Sequence, residues 1–162
     1  MAKVWAKILK ELFLYDLIVV FLPIFSTAFD GVWRCVESTG FEEMMKALGV
    51  NEDKARLIGS TRPLTTIQVS DDGFHFKQEL PAVNEVVVEN DWKFGTPQED
   101  VNEQGEKATT TWTMEGDKMV GNMTNDAGNM ETVITREILA DGKMKQTVKI
   151  GDNSAERVFE KK

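Results

Sequence analysis

Cysteine and histidine are scarce in this sequence, which has one of each in 162 residues. A single cysteine excludes an intramolecular disulfide and any zinc site that needs two cysteines. A single histidine excludes an HExxH motif and metal centres built from several histidines. The sequence also lacks the motifs of a Ser/His/Asp triad and of a glycine-rich phosphate loop. We therefore expect a protein that is not an enzyme and that holds no metal or cofactor.

The chain also lacks an excess of positive charge and an apolar run long enough to span a membrane. Its 19 Lys and Arg residues against 27 Asp and Glu give a net charge of −8, which would repel nucleic acid phosphates. The apolar run over residues 17–25 is shorter than the roughly 20 residues that a membrane-spanning helix needs. The length is that of one globular domain. We expect no nucleic acid partner.

Residues 1–28 differ in composition from the rest and are interpreted as an apolar N-terminal extension. Their three lysines and two acidic residues give a charge of +1, which leaves −9 on residues 29–162. The basic start, the apolar run and the small residues 26–28 are typical of a signal peptide and its cleavage site. Glu11 and Asp16 fit that pattern poorly. Two alternatives stay open, namely an extension that docks on the domain and a segment that anchors it to a membrane.

Two short helices are predicted near the start of the main domain. The apolar residues within 41–48 follow the i, i+3, i+4, i+7 spacing of one helix face. Thr39 and Glu42 fit a capping box, which predicts where this helix begins. Asn51 is a good cap for a second helix that runs to about Gly59.

From residue 64 onward the pattern predicts short strands. Turn signals such as Asp71-Asp-Gly73 and Asp141-Gly142 separate the runs. Closing such a sheet removes its exposed edges, so we predict an all-β fold, an antiparallel up-and-down β-barrel. Residues 95–105 are the most polar stretch and are predicted to be a loop or a weak strand pair. The predicted strands cover residues 64–69, 74–79, 85–89, 108–114, 119–124, 131–138, 144–150 and 155–160.

Strand parity directs two arginines toward the interior of this barrel. Alternate residues of a strand face opposite sides, and the carboxylates beside Val158 indicate that its face is the solvent face. Arg157 then points inward, and Arg136 shares its face with isoleucines. A buried, unpaired charge is unfavourable, so the pair predicts an anionic partner such as the carboxylate of a small molecule. The competing interpretation is that both arginines form salt bridges on the outside.

Two motifs stand at the start of the main domain. Gly31 and Trp33 form a Gly-x-Trp sequence, and a Gly-Phe-Glu sequence that begins at Gly40 leads into the predicted pair of helices. With these motifs the domain resembles the intracellular lipid-binding proteins, the family of fatty-acid-binding and retinoid-binding proteins. Cys35 departs from it, because the family has a larger aliphatic residue there. The resemblance continues through both arginine segments and spans residues 29–162.

This resemblance implies a ten-stranded β-barrel, or β-clam, that two short helices cap and that holds a lipid inside. In the family two arginines and a tyrosine bind the ligand carboxylate. They match Arg136, Arg157 and Phe159, so the tyrosine hydroxyl is missing here. Four further residues are expected to line the cavity, namely Gln146, Met144, Met123 and Trp112.

The expected function is non-enzymatic binding and transport of long-chain fatty acids or similar acidic lipids by a cytoplasmic monomer. A retinoid or bile-acid carrier of the same fold stays open, and so does a secreted, lipocalin-like carrier if residues 1–28 are a signal peptide. The resemblance also implies transient membrane contact at the second helix, where Lys54, Arg56 and Leu57 lie. The competing interpretation of these residues is a solvated helix face.

Overall fold

The fold was analysed in a computed structural model that describes residues 26–101, 107–128 and 130–162. The predictions for residues 1–25 therefore lie outside the described residues. The described part begins with a short 3₁₀ helix, Ser26–Phe29. Phe29 is fully buried, and its carbonyl oxygen accepts a hydrogen bond from the Trp33 indole at 2.8 Å. No helix in these three ranges is long and apolar enough to cross a membrane.

Ten antiparallel strands form one curled sheet. In chain order they are β1 (Gly31–Thr39), β2 (Leu64–Val69), β3 (Gly73–Leu80), β4 (Glu85–Lys93), β5 (Gln98–Val101), β6 (Lys107–Glu115), β7 (Lys118–Asn125), β8 (Glu131–Ile138), β9 (Met144–Ile150) and β10 (Asn153–Lys161). Neighbouring strands in the sheet are consecutive in the chain, except that β1 pairs with β10 and so brings the two ends of the domain together. The predicted all-β, up-and-down architecture is confirmed.

The two sheet ends are β4 and β5, which follow each other in the chain. The amide group of Gln98 links them, because its Oε1 accepts from the backbone N–H of Lys93 at 2.8 Å and its Nε2 donates to the Asp91 carbonyl at 2.9 Å. β5 lies in the polar stretch predicted to be a loop or a weak strand pair, and it pairs with β6 over four residues. Hydrogen bonds of the Gln98 side chain therefore replace part of the backbone pairing that β4 and β5 lack.

Two helices lie between β1 and β2, namely α1 (Phe41–Ala47) and α2 (Glu52–Ser60). The predicted cap of α2 is confirmed, since the Asn51 side chain accepts from the backbone N–H of Asp53. The capping box predicted for α1 is wrong. Thr39 is the last residue of β1 and pairs with β10, and Gly40 takes the N-cap position with φ 77° and no side-chain cap. Because Thr39 is still paired in the strand, the chain turns at the next residue. That residue has a left-handed backbone conformation, which glycine adopts at little cost.

The main core lies inside the sheet, and a smaller one lies under the helices. The main cluster contains Trp33, Ile67 and Phe159. The smaller cluster packs Phe41 and Met44 of α1 against Ala155 of β10. The helices therefore close the end of the barrel at which β1 ends and β2 begins. This arrangement leaves the inner faces of β3–β9 to form the wall of a cavity.

Candidate functional site

An internal cavity of about 430 Å³ lies between the inner faces of these strands. Half of its wall is apolar, with Phe76, Val88, Trp92, Ala108, Trp112, Met123, Met130 and Ile134. The other half is polar or charged, with Gln78, Asn90, Asp100, Lys107, Thr110, Asn125, Arg136 and Gln146. Strand alternation explains the set, because residues two apart on one strand share the inner face. A larger hollow of about 610 Å³ lies on the outer face of β8 and β9, and none of the predicted site residues lines it.

Arg136 is a buried cation within this wall, with only 3% of its surface exposed. Its Nε donates to Gln146 Oε1 at 3.1 Å, and its Nη1 lies 3.7 Å from the Met119 sulfur. The guanidinium carbon lies 4.5 Å from the Phe76 ring centroid and 4.6 Å from that of Trp112. The faces of these two rings are negative and attract the cation. Two aromatic ring faces and two neutral acceptors, an amide oxygen and a sulfur, therefore surround the Arg136 guanidinium.

No acidic side chain pairs with Arg136 within the described ranges. Burial alone lowers its pKa to about 9, so the guanidinium still carries its charge at neutral pH. The indole Nε1 of Trp112 is also buried and makes no hydrogen bond to any described residue. A charge and a hydrogen-bond donor, both without an anionic partner, therefore lie side by side in the cavity wall.

The backbone places both predicted arginines in one row across the sheet. Arg136 of β8 is directly opposite Gln146 of β9, and Gln146 is directly opposite Arg157 of β10. All three are buried, so the inward parity predicted for the arginines is confirmed. Since neighbouring strands lie about 4.8 Å apart, the backbones of the arginines are roughly 10 Å from each other.

The Arg157 side chain extends toward the helices rather than into the cavity. Its Nη2 donates to the Ile58 carbonyl at 3.1 Å and to Thr61 Oγ1 at 3.0 Å, both at the end of α2. Its guanidinium carbon lies 4.1 Å from the centroid of the Phe41 ring. Arg157 does not line the 430 Å³ cavity, and its buried Nε makes no hydrogen bond to a described residue. Burial lowers its pKa, and the charge of Arg62 acts in the same direction.

The remaining predicted ligand contacts divide into two groups. Gln146, Met123 and Trp112 lie in the cavity wall with Arg136. Met144 and Phe159 are fully buried in the main core, directly opposite each other on β9 and β10. Phe159 occupies the place of the family tyrosine and packs within an apolar cluster that also contains Cys35. Phe159 therefore makes apolar packing contacts at this place, where the family has a tyrosine hydroxyl.

The sequence prediction included Gln146 and Trp112 but missed Phe76, the second aromatic ring beside Arg136. Phe76 shares its strand face with Phe74, and this alternation is a signal that strand parity could have used. Met119, a methionine expected to line the cavity, is directly opposite Arg136 across β7 and β8. Gly121 brings Trp112 close to β7, since a Cβ there would lie 2.8 Å from the indole ring. No sequence signal indicates the contact between Arg157 and the Ile58 carbonyl, because 99 residues separate them.

The predicted portal residues all lie on the outer surface of α2. Leu57 is 64% exposed. Arg56 forms ion pairs with Glu52 at 3.5 Å and with Asp53 at 3.6 Å, so its charge is largely balanced within the helix. Lys54 is exposed.

Sequence and structure comparisons agree with this geometry. A model of the family described as "Lipocalin / cytosolic fatty-acid binding protein family" matches residues 30–162. The chain belongs to the lipocalin / cytosolic fatty-acid binding protein family. It is 31% identical over 135 residues to the intestinal fatty acid-binding protein of Rattus norvegicus and 30% identical to that of Homo sapiens. Each match covers 83% of this chain and 98% of the relative.

Solved structures give the same fold. Apo lipid binding protein 8 of Caenorhabditis elegans superimposes with a TM-score of 0.72 and 26% identity, over 84% of this chain and 96% of that one. The fatty acid binding protein of Schistosoma mansoni, in complex with arachidonic acid, superimposes with a TM-score of 0.70 and 23% identity, over 85% and 98%. The intestinal relatives are named as fatty acid-binding proteins, which agrees with the expectation that the chain is not an enzyme.

The uncompensated charge leads to a prediction about stability. Arg136→Met replaces the buried cation by an apolar chain of similar reach, and such replacements are often neutral or stabilising. We expect the free energy of unfolding of the ligand-free protein to stay the same or to rise by about 1–4 kcal/mol. Chemical denaturation measures this value.

The matched control is Arg34→Met, since Arg34 is an exposed arginine paired with Glu160 on the outer surface. Its effect should stay within about 0.5 kcal/mol, as for other surface changes. A loss of more than about 2 kcal/mol in Arg136→Met would show that the interior compensates this charge after all.

Proposed function

We propose that this protein is a non-enzymatic carrier that binds and transports long-chain fatty acids or similar acidic lipids in its internal cavity. The observation that supports this most directly is Arg136, a buried cation that no described acidic side chain neutralises. A lipid carboxylate would supply the missing charge. The apolar half of the wall, with Ile134, Met123 and Val88, fits the hydrocarbon chain of such a ligand.

The site has the donors that a carboxylate needs. Arg136 carries a charge that no described acidic side chain pairs with, and Trp112 Nε1, which makes no hydrogen bond to a described residue, is a second donor beside it. A carboxylate has two oxygens, so it accepts from both groups at once. The sequence analysis predicted that Arg157 shares this task, and in the ligand-free geometry its Nη2 is bonded to α2. We therefore assign the head group of the ligand to Arg136 and Trp112, with Gln146 as the acceptor that orients Arg136.

A second candidate is an acidic lipid with further polar groups, of the bile-acid type. Asn90 and Thr110 face the cavity without a side-chain partner among the described residues, and Asp100 lies on the same inner wall. Hydroxyl groups on a rigid lipid would pair with them, whereas a simple alkyl chain would leave them to water. A retinoid carrier also stays open. We further propose a monomer in the cytoplasm, with secretion as the alternative if residues 1–28 act as a signal peptide.

The carrier function predicts that binding depends on the ligand's charge. Arg136→Met removes a charged hydrogen-bond donor, so its affinity for a fluorescent long-chain fatty acid should fall at least tenfold, by about 1.5–3 kcal/mol. Arg34→Met is the control and should bind like the unchanged protein. Fluorescence titration measures both.

The methyl ester of the same fatty acid separates charge from cavity shape. Its affinity should be nearly equal in the unchanged protein and in Arg136→Met, because no carboxylate is present to pair with the guanidinium. Equal loss of acid and ester would instead mean that the substitution damages the cavity. No binding of any acidic lipid by the unchanged protein would refute the carrier function itself.

We also propose transient contact with membranes at the end of the barrel that carries the helices. Six large apolar side chains are notably exposed in the described ranges, and antiparallel connectivity places all of them at this end. They form what we call the apolar rim: Leu48, Leu57, Val83, Val86, Val101 and Met130. Grouped apolar exposure of this kind is typical of an interaction surface.

The charges near the rim do not favour an electrostatic attachment. Arg56 is paired with Glu52 and Asp53, and Lys46 of α1 is paired with Glu42 at 2.7 Å. Lys54 is the exception, since no ion pair involves it within the described ranges. The main domain as a whole is acidic. Contact by insertion of apolar side chains is therefore favoured over attraction to anionic lipids.

This leads to a prediction about transfer to vesicles. Leu57→Ser should slow the transfer of a fluorescent fatty acid to zwitterionic vesicles several-fold, because it removes the most exposed apolar side chain of the rim. Lys54→Gln and added salt should change the transfer rate little. The opposite pattern, with an unchanged rate in Leu57→Ser and a large effect of Lys54→Gln and of salt, would refute apolar contact.

A further inference from the structure

One guanidinium connects the barrel to both helices. Arg157 extends from β10, donates to the Ile58 carbonyl and the Thr61 hydroxyl at the end of α2, and stacks on Phe41 at the start of α1. Only 8% of its surface is exposed. The partners are 96 and 99 residues away in sequence, so these contacts hold together parts of the chain that have no local connection.

The position of Arg157 suits the end of a helix. The last carbonyl groups of an α-helix have no partner within the helix, and its C-terminus carries partial negative charge. A cation that donates to these carbonyl groups supplies their missing hydrogen bonds and also balances the partial negative charge. The Thr61 hydroxyl also donates to the Ile58 carbonyl, at 2.8 Å, and so joins the same group of hydrogen bonds.

Apart from its packing on α1 and the contact of Ile58 with the smaller core, α2 touches the sheet little. Ala55 is the one fully buried residue of this helix. The other side of α2 faces solvent, with Leu57 and the paired charges of Arg56. The hydrogen bonds from Arg157 are therefore a large part of what holds α2 to the barrel.

We propose that Arg157 is a latch that keeps α2 closed over the barrel and sets how often this lid opens. It acts as a positioning residue for ligand exchange, separate from the carboxylate site at Arg136. The latch itself is a property of the ligand-free protein, while its effect on ligand exchange rests on the proposed carrier function.

If Arg157 is a latch, loss of its donor and loss of its acceptor should both speed amide hydrogen exchange in α2. Arg157→Met removes the donor, and Thr61→Val removes one acceptor without touching the cavity wall. In the ligand-free protein each should raise amide hydrogen exchange in residues 52–60 about tenfold, the effect expected from loss of a hydrogen bond to a charged group. The double variant should exchange much more slowly than the product of the two single effects predicts, because the two changes share one contact and differ only by the Thr61 hydroxyl bond to the Ile58 carbonyl.

Arg62→Met is a matched control for loss of a cation at this helix end. Arg62 donates to the carbonyls of Gly59, Ser60 and Thr61, so its hydrogen bonds stay within the segment 59–62. Its loss should loosen at most the last turn of α2. Faster exchange throughout α2 in Arg62→Met, equal to that in Arg157→Met, would mean that a local cap and not a link to the barrel holds the helix.

Stopped-flow fluorescence with a fluorescent long-chain fatty acid tests the consequence for exchange. Thr61→Val should raise the association and dissociation rate constants by a similar factor, about tenfold, and leave Kd within about threefold. The latch is overturned if hydrogen exchange in α2 is unchanged in Thr61→Val and in Arg157→Met. If Arg157→Met does not fold, Thr61→Val decides alone.

Two results separate the latch from the proposed function. Faster exchange in α2 with unchanged ligand rates would overturn control of ligand passage by this helix. Failure of the unchanged protein to bind any acidic lipid would refute the carrier function, and the hydrogen exchange result would still decide whether Arg157 holds the lid.

Discussion

The proposed function depends on a positive charge placed in an interior that does not neutralise it. Arg136 has two aromatic faces, one amide oxygen and one sulfur around it, and these partners attract a cation without cancelling its charge. A fully apolar residue would pack at this place at lower electrostatic cost. The fold therefore keeps an arrangement that becomes favourable once an anion enters, and this links the free energy of folding to that of ligand binding.

The two arginines share a row of the sheet but have different surroundings. Arg136 lies among the strands that form the cavity wall, where β7 and β8 bring Met119 beside it. Arg157 lies where β10 passes under the helices, so the nearest acceptors belong to α2. In our proposal, one residue type thus serves both a ligand site and the closure of a lid. The position of the strand that carries each arginine decides which groups the guanidinium contacts, since the residue type is the same at both places.

Much of this fold follows from local sequence patterns. The strand limits at 64–69, 131–138 and 144–150 were predictable because alternation and turn residues act locally. The start of α1 was not, since Thr39 belongs to a ladder with β10 that forms only in the folded protein. Strand parity gave the inward direction of Arg157. Strand parity could not predict which group Arg157 binds, because the Ile58 carbonyl comes close to it only through tertiary packing.

The most direct test of this account is the number of protons taken up when a fatty acid binds. The pKa of Arg136 is about 9 in the ligand-free protein, and a bound carboxylate raises it because it stabilises the charged form. Binding in the pH range around this pKa should then take up a fraction of a proton, and affinity should fall as the pH rises further. Isothermal titration calorimetry in buffers of different ionisation enthalpy measures this uptake. The account predicts uptake that disappears in Arg136→Met; equal uptake in that variant, or none in the unchanged protein, would contradict it.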